Sequence, residues 1–212
     1  MECSVAQRAG GSVLTGGRAW VVSSAGVDEE GAGQVITSDR SGTAHDAAVR
    51  RLVDVVRDHV RLIDTGGPRP PGWRYPSVFH FLLAHGRVFT PAPRPPGLDK
   101  MPDGACRVNA AHAARTYGEH DLVYAGGMAA YHRPGVAVHL PHAWCVTRDG
   151  TAVDPTWDAD GGTIAYFGVP LADRTLWPAY GEGLLEDFMR CAPLLRDGFS
   201  EAAYAPRGHG IT

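Results

Sequence analysis

Three residues in this 212-residue chain have the types and the order needed for thiol-based acyl chemistry: Cys106, then His142 36 residues later, then Asp154 twelve after that. Cys106 follows Pro102-Asp103-Gly104 and opens the run RVNAAHAARTYG, whose small residues favour a closely packed helix. Asp103 is the expected N-cap. A cysteine in the first helical turn meets free backbone N–H groups and the positive end of the helix dipole, a setting that lowers a thiol pKa to about 3.5–7.5. The segment HAWCVTRDGTAVDPTW adds a base and an orienting acid on consecutive β-prone stretches. There His142 can take the thiol proton and later return it to a leaving group, while Asp154 fixes the imidazole tautomer and stabilises its charged form.

The short spacing between His142 and Asp154 constrains the hairpin joining them. A two-residue turn at Asp149-Gly150 would pair Arg148 with Thr151 and Cys145 with Asp154, which sends His142 to the opposite face. A three-residue loop, with Thr147 opposite Thr151, places Asp154 opposite Trp144 and on the face of His142. The sequence therefore predicts an odd-length connection or a bulge, with Gly150 in the left-handed conformation that costs glycine little.

Other segments must hold this hairpin and helix. The clearest helix has Val49, Leu52, Val53, Val56, Val60 and Ile63 on one stripe and charged residues on the other face, with Thr43 and Asp46 reading as a capping box. Residues 64–96 are punctuated by prolines around a short apolar run, 78–84, expected to form two helical turns. After Gly104 come the cysteine helix, expected to end near Tyr117, then strands over 122–124, 136–140, 142–147 and 151–154, and a helical tail over about 183–195. A helix followed by an antiparallel sheet predicts an α+β fold. Residues 1–40 are rich in Gly, Ala and Ser, with β-prone runs at 19–23 and 34–37, and read as a flexible arm or edge hairpin. Residues 41–212 are then one catalytic domain.

Composition removes several classes of function. Twenty basic against 23 acidic residues give a formal charge of −3, which offers no footprint for nucleic acid or an anionic membrane. No apolar run is long enough for a membrane span, and the start lacks the pattern of a secretion signal, so a cytoplasmic location is expected. The four cysteines form no CxxC pair, which predicts reduced thiols. Lys100 is the only lysine and Asn109 the only asparagine, a bias that points to a GC-rich, bacterial codon usage.

The pieces GACxxNAxxAA around Cys106, LVYAGGMAAY from Leu122, HAW at 142–144 and VDPTW at 153–157 resemble the transglutaminase-like branch of the papain-like cysteine hydrolase and acyltransferase superfamily. The resemblance covers roughly residues 100–171. It implies a papain-like core in which a helix bearing the nucleophile Cys106 packs on an antiparallel sheet bearing His142 as general base and acid and Asp154 as its orienter. The activity implied is amide or peptide hydrolysis, or amide-forming acyl transfer, through a Cys106 thioester. Its substrate would be a peptide or a small-molecule amide or thioester, with an amine as an alternative acceptor to water. Such catalysis needs no cofactor. The chain departs from papain-like proteases in having no glutamine ahead of the cysteine, since Gln7 and Gln34 are its only two. That leaves the backbone N–H of Cys106 as the one assignable oxyanion donor. Arylamine N-acetyltransferases share the order Cys, His, Asp, but their arginine- and glycine-rich approach to the cysteine is missing from MPDGACRVN.

Other readings compete for the same residues. Zinc could take His139, His142 and Cys145, joined by Cys106 and His112. A spacing of three on a strand puts neighbours on opposite faces, and Pro141 bars the helix that would gather them, so no metal is expected. Cys145 then reads as core. Trp144, Trp157 and Tyr166, with Phe167, are candidates for lining a substrate pocket or for filling the core. His112, His120, His132 and His139 have no partner the sequence identifies. A binding or structural protein that keeps the fold without chemistry is the alternative of a different class.

Overall fold

A computed structural model describes residues 40–67, 71–117, 121–133, 135–158, 163–200 and 203–204. The expected N-terminal arm, residues 1–40, lies outside them except for Arg40, which is the first residue of α1. The elements in chain order are α1 (Arg40–Thr65), α2 (Val78–His85), β1 (Arg87–Phe89), β2 (Pro91–Ala92), α3 (Cys106–Thr116), β3 (Val123–Arg133), β4 (Val136–Val146), β5 (Ala152–Val153), β6 (Thr163–Pro170) and α4 (Phe188–Asp197). The strands form one nearly closed six-stranded sheet in the order β1-β6-β3-β4-β5-β2, with only β2 and β5 parallel. This is the mixed α+β architecture expected.

Alternation along β3 and β4 divides the core in two. One face carries Tyr124, Met128, Ala130, Ala143 and Cys145 and packs under the helices, with Leu52 and Val56 of α1, Phe81 and Leu82 of α2, alanines of α3 and Cys191 and Leu195 of α4. The other face curls around Ala125, Ala129, Trp144, Ile164 and Tyr166, with Phe89 brought in by β1. On α1 the apolar stripe faces the sheet, while its charged face carries exposed pairs such as Arg57–Asp54 at 2.9 Å. Close strand packing explains the small residues of β3: a Cβ on Gly127 would meet Phe167 O at 2.3 Å across the β3–β6 pairing.

Several boundaries differ from expectation. Helix α1 starts at Arg40, so Thr43 lies inside it and is no cap. Strands expected at 136–140 and 142–147 are one strand through Pro141. The proline is tolerated because β5 pairs only with Cys145 and Val146, which leaves β4 without an outer neighbour at Pro141. Strands β1, β2 and β6 were not foreseen. The first two lie in the proline-punctuated stretch, and β6 reads as a continuous apolar run because it is buried on both faces. The tail helix starts later, at Phe188, where Asp187 Oδ1 accepts from the N–H groups of Met189 and Arg190. No helix among the described residues is long and apolar enough to cross a membrane.

Candidate functional site

Cys106 is the first residue of α3 and only 9% exposed. The first intrahelical bond runs from Asn109 N to Ala105 O, so the N–H groups of Cys106, Arg107 and Val108 lie outside the helical ladder. The cap itself differs from the sequence reading: the N-cap residue is Ala105, with no side-chain cap bond, and Asp103 instead pairs with Lys100 at 3.4 Å. The helix start lies against β4 just where β5 has ended. There the His142 ring and the backbone N–H of Ala143 are close enough to the Cys106 thiol to favour its charged form. Burial opposes the thiolate, but the His142 bond and charge, the Arg107 guanidinium and the Ala143 N–H outweigh it, and the thiol pKa falls below its ordinary value.

His142 is wholly buried on β4. Its Nε2 lies 2.7 Å from Asp154 Oδ2, which leaves Nδ1 as the nitrogen for the thiol. The indole of Trp157 stacks on the imidazole, with centroids 3.9 Å apart and 17° between planes. Burial disfavours a charged imidazole, yet the Asp154 and Cys106 hydrogen bonds and charges prevail, and the pKa is pushed up to about 9. Asp154 is saturated with donors. Oδ1 accepts the N–H groups of Thr156 at 2.7 Å and Trp157 at 3.0 Å, and Oδ2 accepts the Tyr166 hydroxyl at 2.8 Å besides His142. Burial pushes this carboxyl up, but His142 and the two backbone donors hold it below the usual carboxylate range.

The hairpin follows the predicted register. Cys145 pairs with Val153 and Val146 with Ala152; Thr147 N donates to Thr151 O at 3.0 Å, and Gly150 has φ +86°. Continued outward, that register sets Asp154 opposite Trp144 and on the face of His142. No family model, curated protein or solved structure matches this chain.

The remaining sequence candidates separate. Trp157 is partly exposed and borders open clefts. Trp144 is wholly buried between Phe89 and Tyr166, so it cannot line an open pocket. Tyr166 is also buried; it borders a cavity of about 430 Å³ behind Asp154 and spends its hydroxyl on that carboxylate. Phe167 lies in the core under the helices. The zinc set does not assemble. His139 Nε2 lies 3.2 Å from His132 Nε2, Cys145 Sγ donates to Ala110 O, and His142 is committed to Asp154. No group of three or more potential metal ligands occurs among the described residues. Burial raises the Cys145 thiol pKa, as expected of a core cysteine.

Four contributors escaped the sequence reading. Asn109, one turn after Cys106, donates from Nδ2 to Pro102 O at 2.8 Å and to Thr156 Oγ1 at 3.0 Å, tying the cysteine helix to the Asp154 loop. Its signal was present: the only asparagine in the chain, set among packed alanines. Arg107, next to the thiol, pairs through Nε with Glu186 at 3.2 Å. Arg94 donates to Asp154 O and Trp157 O and pairs with Asp158, clamping the same loop. Nothing in the sequence marks Glu186 or Arg94, because their partners are remote along the chain.

Proposed function

We propose that this protein is a cysteine-dependent acyl-transfer enzyme of the transglutaminase-like, papain-like kind, acting on peptide or small-molecule amides or thioesters. The observation that carries the reading is a helix-start thiol, its pKa lowered by a neighbouring buried imidazole, with that imidazole bonded to a fully donated carboxylate. A cysteine helix laid against the strand that bears the base, with its orienter just past the neighbouring strand, supports the same core.

In this mechanism the Cys106 thiolate attacks the acyl carbon, and the carbonyl oxygen takes the negative charge beside the free N–H of Cys106. His142 gives its Nδ1 proton to the leaving nitrogen as the C–N bond breaks, producing an acyl-thioester. Water or an amine then loses a proton to His142 and attacks that carbon, and the C–S bond breaks to restore the thiolate. With a thioester substrate the C–S bond to the leaving group breaks instead, and the departing thiolate takes the His142 proton, so that the imidazole is again neutral for the second step. Asp154 stays ionised throughout and stabilises the imidazolium.

The test is incubation with an aryl thioester followed by intact-mass measurement. A covalent acyl adduct is expected on the native chain and none on Cys106→Ala, with turnover lost in parallel. Turnover surviving in Cys106→Ala sinks the mechanism.

A further inference from the structure

On β4 the side chains of Val138, Leu140 and His142 are spaced by two, so they share one face of the strand. Leu140 is therefore only about 7 Å along the strand from the imidazole-bearing residue. Tyr131 pairs with Val138 across β3, and its ring lies 6.0 Å from that of Trp157, which itself covers His142. These four apolar side chains, Tyr131, Val138, Leu140 and Trp157, wall a surface cleft of about 460 Å³. Its rim carries Lys100, Asp103 and Asp158. Those charges are paired among themselves: Lys100 lies 3.4 Å from Asp103 and 3.7 Å from Asp158, and Asp158 also holds Arg94. Asp103 precedes Cys106 by three residues, so rim and nucleophile are separated by no more than about 10 Å of chain.

We infer that this cleft is the subsite for an uncharged apolar group of the substrate, aromatic or branched aliphatic, held next to the acyl group that Cys106 attacks. The walls offer area for ring or branched-chain contact, and a rim of paired charges leaves no net field to draw a charged group. The cleft lies on the His142 face of β4, and Trp157 belongs both to its wall and to the stack on the imidazole, so a group seated there sits beside the indole that covers His142. The inference rests on the acyl-transfer reading for its purpose, but the cleft binds independently of the thiol.

Two measurements separate the readings. The first compares alkylation of Cys106 by iodoacetamide and by N-benzyl-iodoacetamide. The benzyl reagent is expected to react at least about tenfold faster and to saturate, the gain typical of a seated aromatic ring. That ratio should fall toward one in Leu140→Asp and in Val138→Asp, both checked for folding by circular dichroism. The second follows tryptophan fluorescence of Cys106→Ala on titration with N-acetylphenylalaninamide, where saturable binding is expected and is lost in either aspartate variant. A ratio near one in the native chain, or binding that survives both variants, overturns the subsite. Failure of iodoacetamide to prefer Cys106 overturns the acyl-transfer reading alone, because the second measurement still decides the cleft.

Discussion

Asn109 donates from its side-chain amide to the Thr156 hydroxyl at 3.0 Å, inside a region closed to solvent. That bond joins the helix that starts with Cys106 to the loop whose N–H groups hold Asp154. Asn109→Ala leaves Pro102 O and Thr156 Oγ1 without their donor, at a cost of about 1–3 kcal/mol. We expect a lowered Tm and slower turnover together. Thr156→Val removes the same bond, so the double variant should lose less than the sum of the two single losses. Additive losses would show that the pair does not couple helix and loop.

The pH profile of turnover should be bell-shaped. On the acid side the limb reflects protonation of a thiol whose pKa is lowered by its neighbours, so it lies below the ordinary thiol range. On the alkaline side the imidazolium loses its proton at about 9, and the leaving group loses its acid. Rates that only begin to rise above the usual thiol value would rule out the ion pair.

The same groups give a signed dependence of stability on pH. His142 has a folded pKa above its unfolded value, so its contribution is fully present below about 6.5 and is lost as the pH rises through about 9. Asp154 has a depressed pKa, so its contribution is present above the unfolded carboxyl value and is lost as the pH falls through the folded one. Thermal melts should show both declines. His142→Gln should remove the alkaline one, and an unchanged alkaline decline in that variant would contradict the assignment.

Arg107 places a second cation beside the sulfur, and Glu186 keeps its guanidinium paired there. Arg107→Gln should move the acid limb of Cys106 alkylation to higher pH, with Arg107→Lys intermediate. An unchanged limb would make Arg107 a structural tie to Glu186 and nothing more.

Gly150 closes the three-residue loop with φ +86°, a conformation that costs other residues about 1–2 kcal/mol. Gly150→Ala should lower stability by about that amount, read from urea denaturation. Gly150→Asn should lose less, because asparagine tolerates the left-handed region. Equal stability of all three would mean that the turn does not impose the register.

Local physics made much of the site legible. Cys106 at a helix start follows from small-residue packing and a preceding turn, and the hairpin register follows from alternation once His142 and Asp154 are required to share a face. The stripe on α1 needed only periodicity. Where the sequence erred, local signals competed: Asp103 is a good cap by type, yet it turned to Lys100, and Trp144 is a good pocket residue by type, yet alternation together with sheet closure buried it. The rest is tertiary. Arg94, Asn109, Tyr166 and Glu186 act on residues 7 to 79 positions away, and their value depends on which strands neighbour which. Strand β6, uniformly apolar, carries no periodic mark of its place, so only the closed sheet could bring Tyr166 onto Asp154. The cleft beside His142 exists for the same reason: β3, β4 and the 154–158 loop meet only after the sheet has formed, because a surface shared by three segments is a property of their packing and of none of them singly.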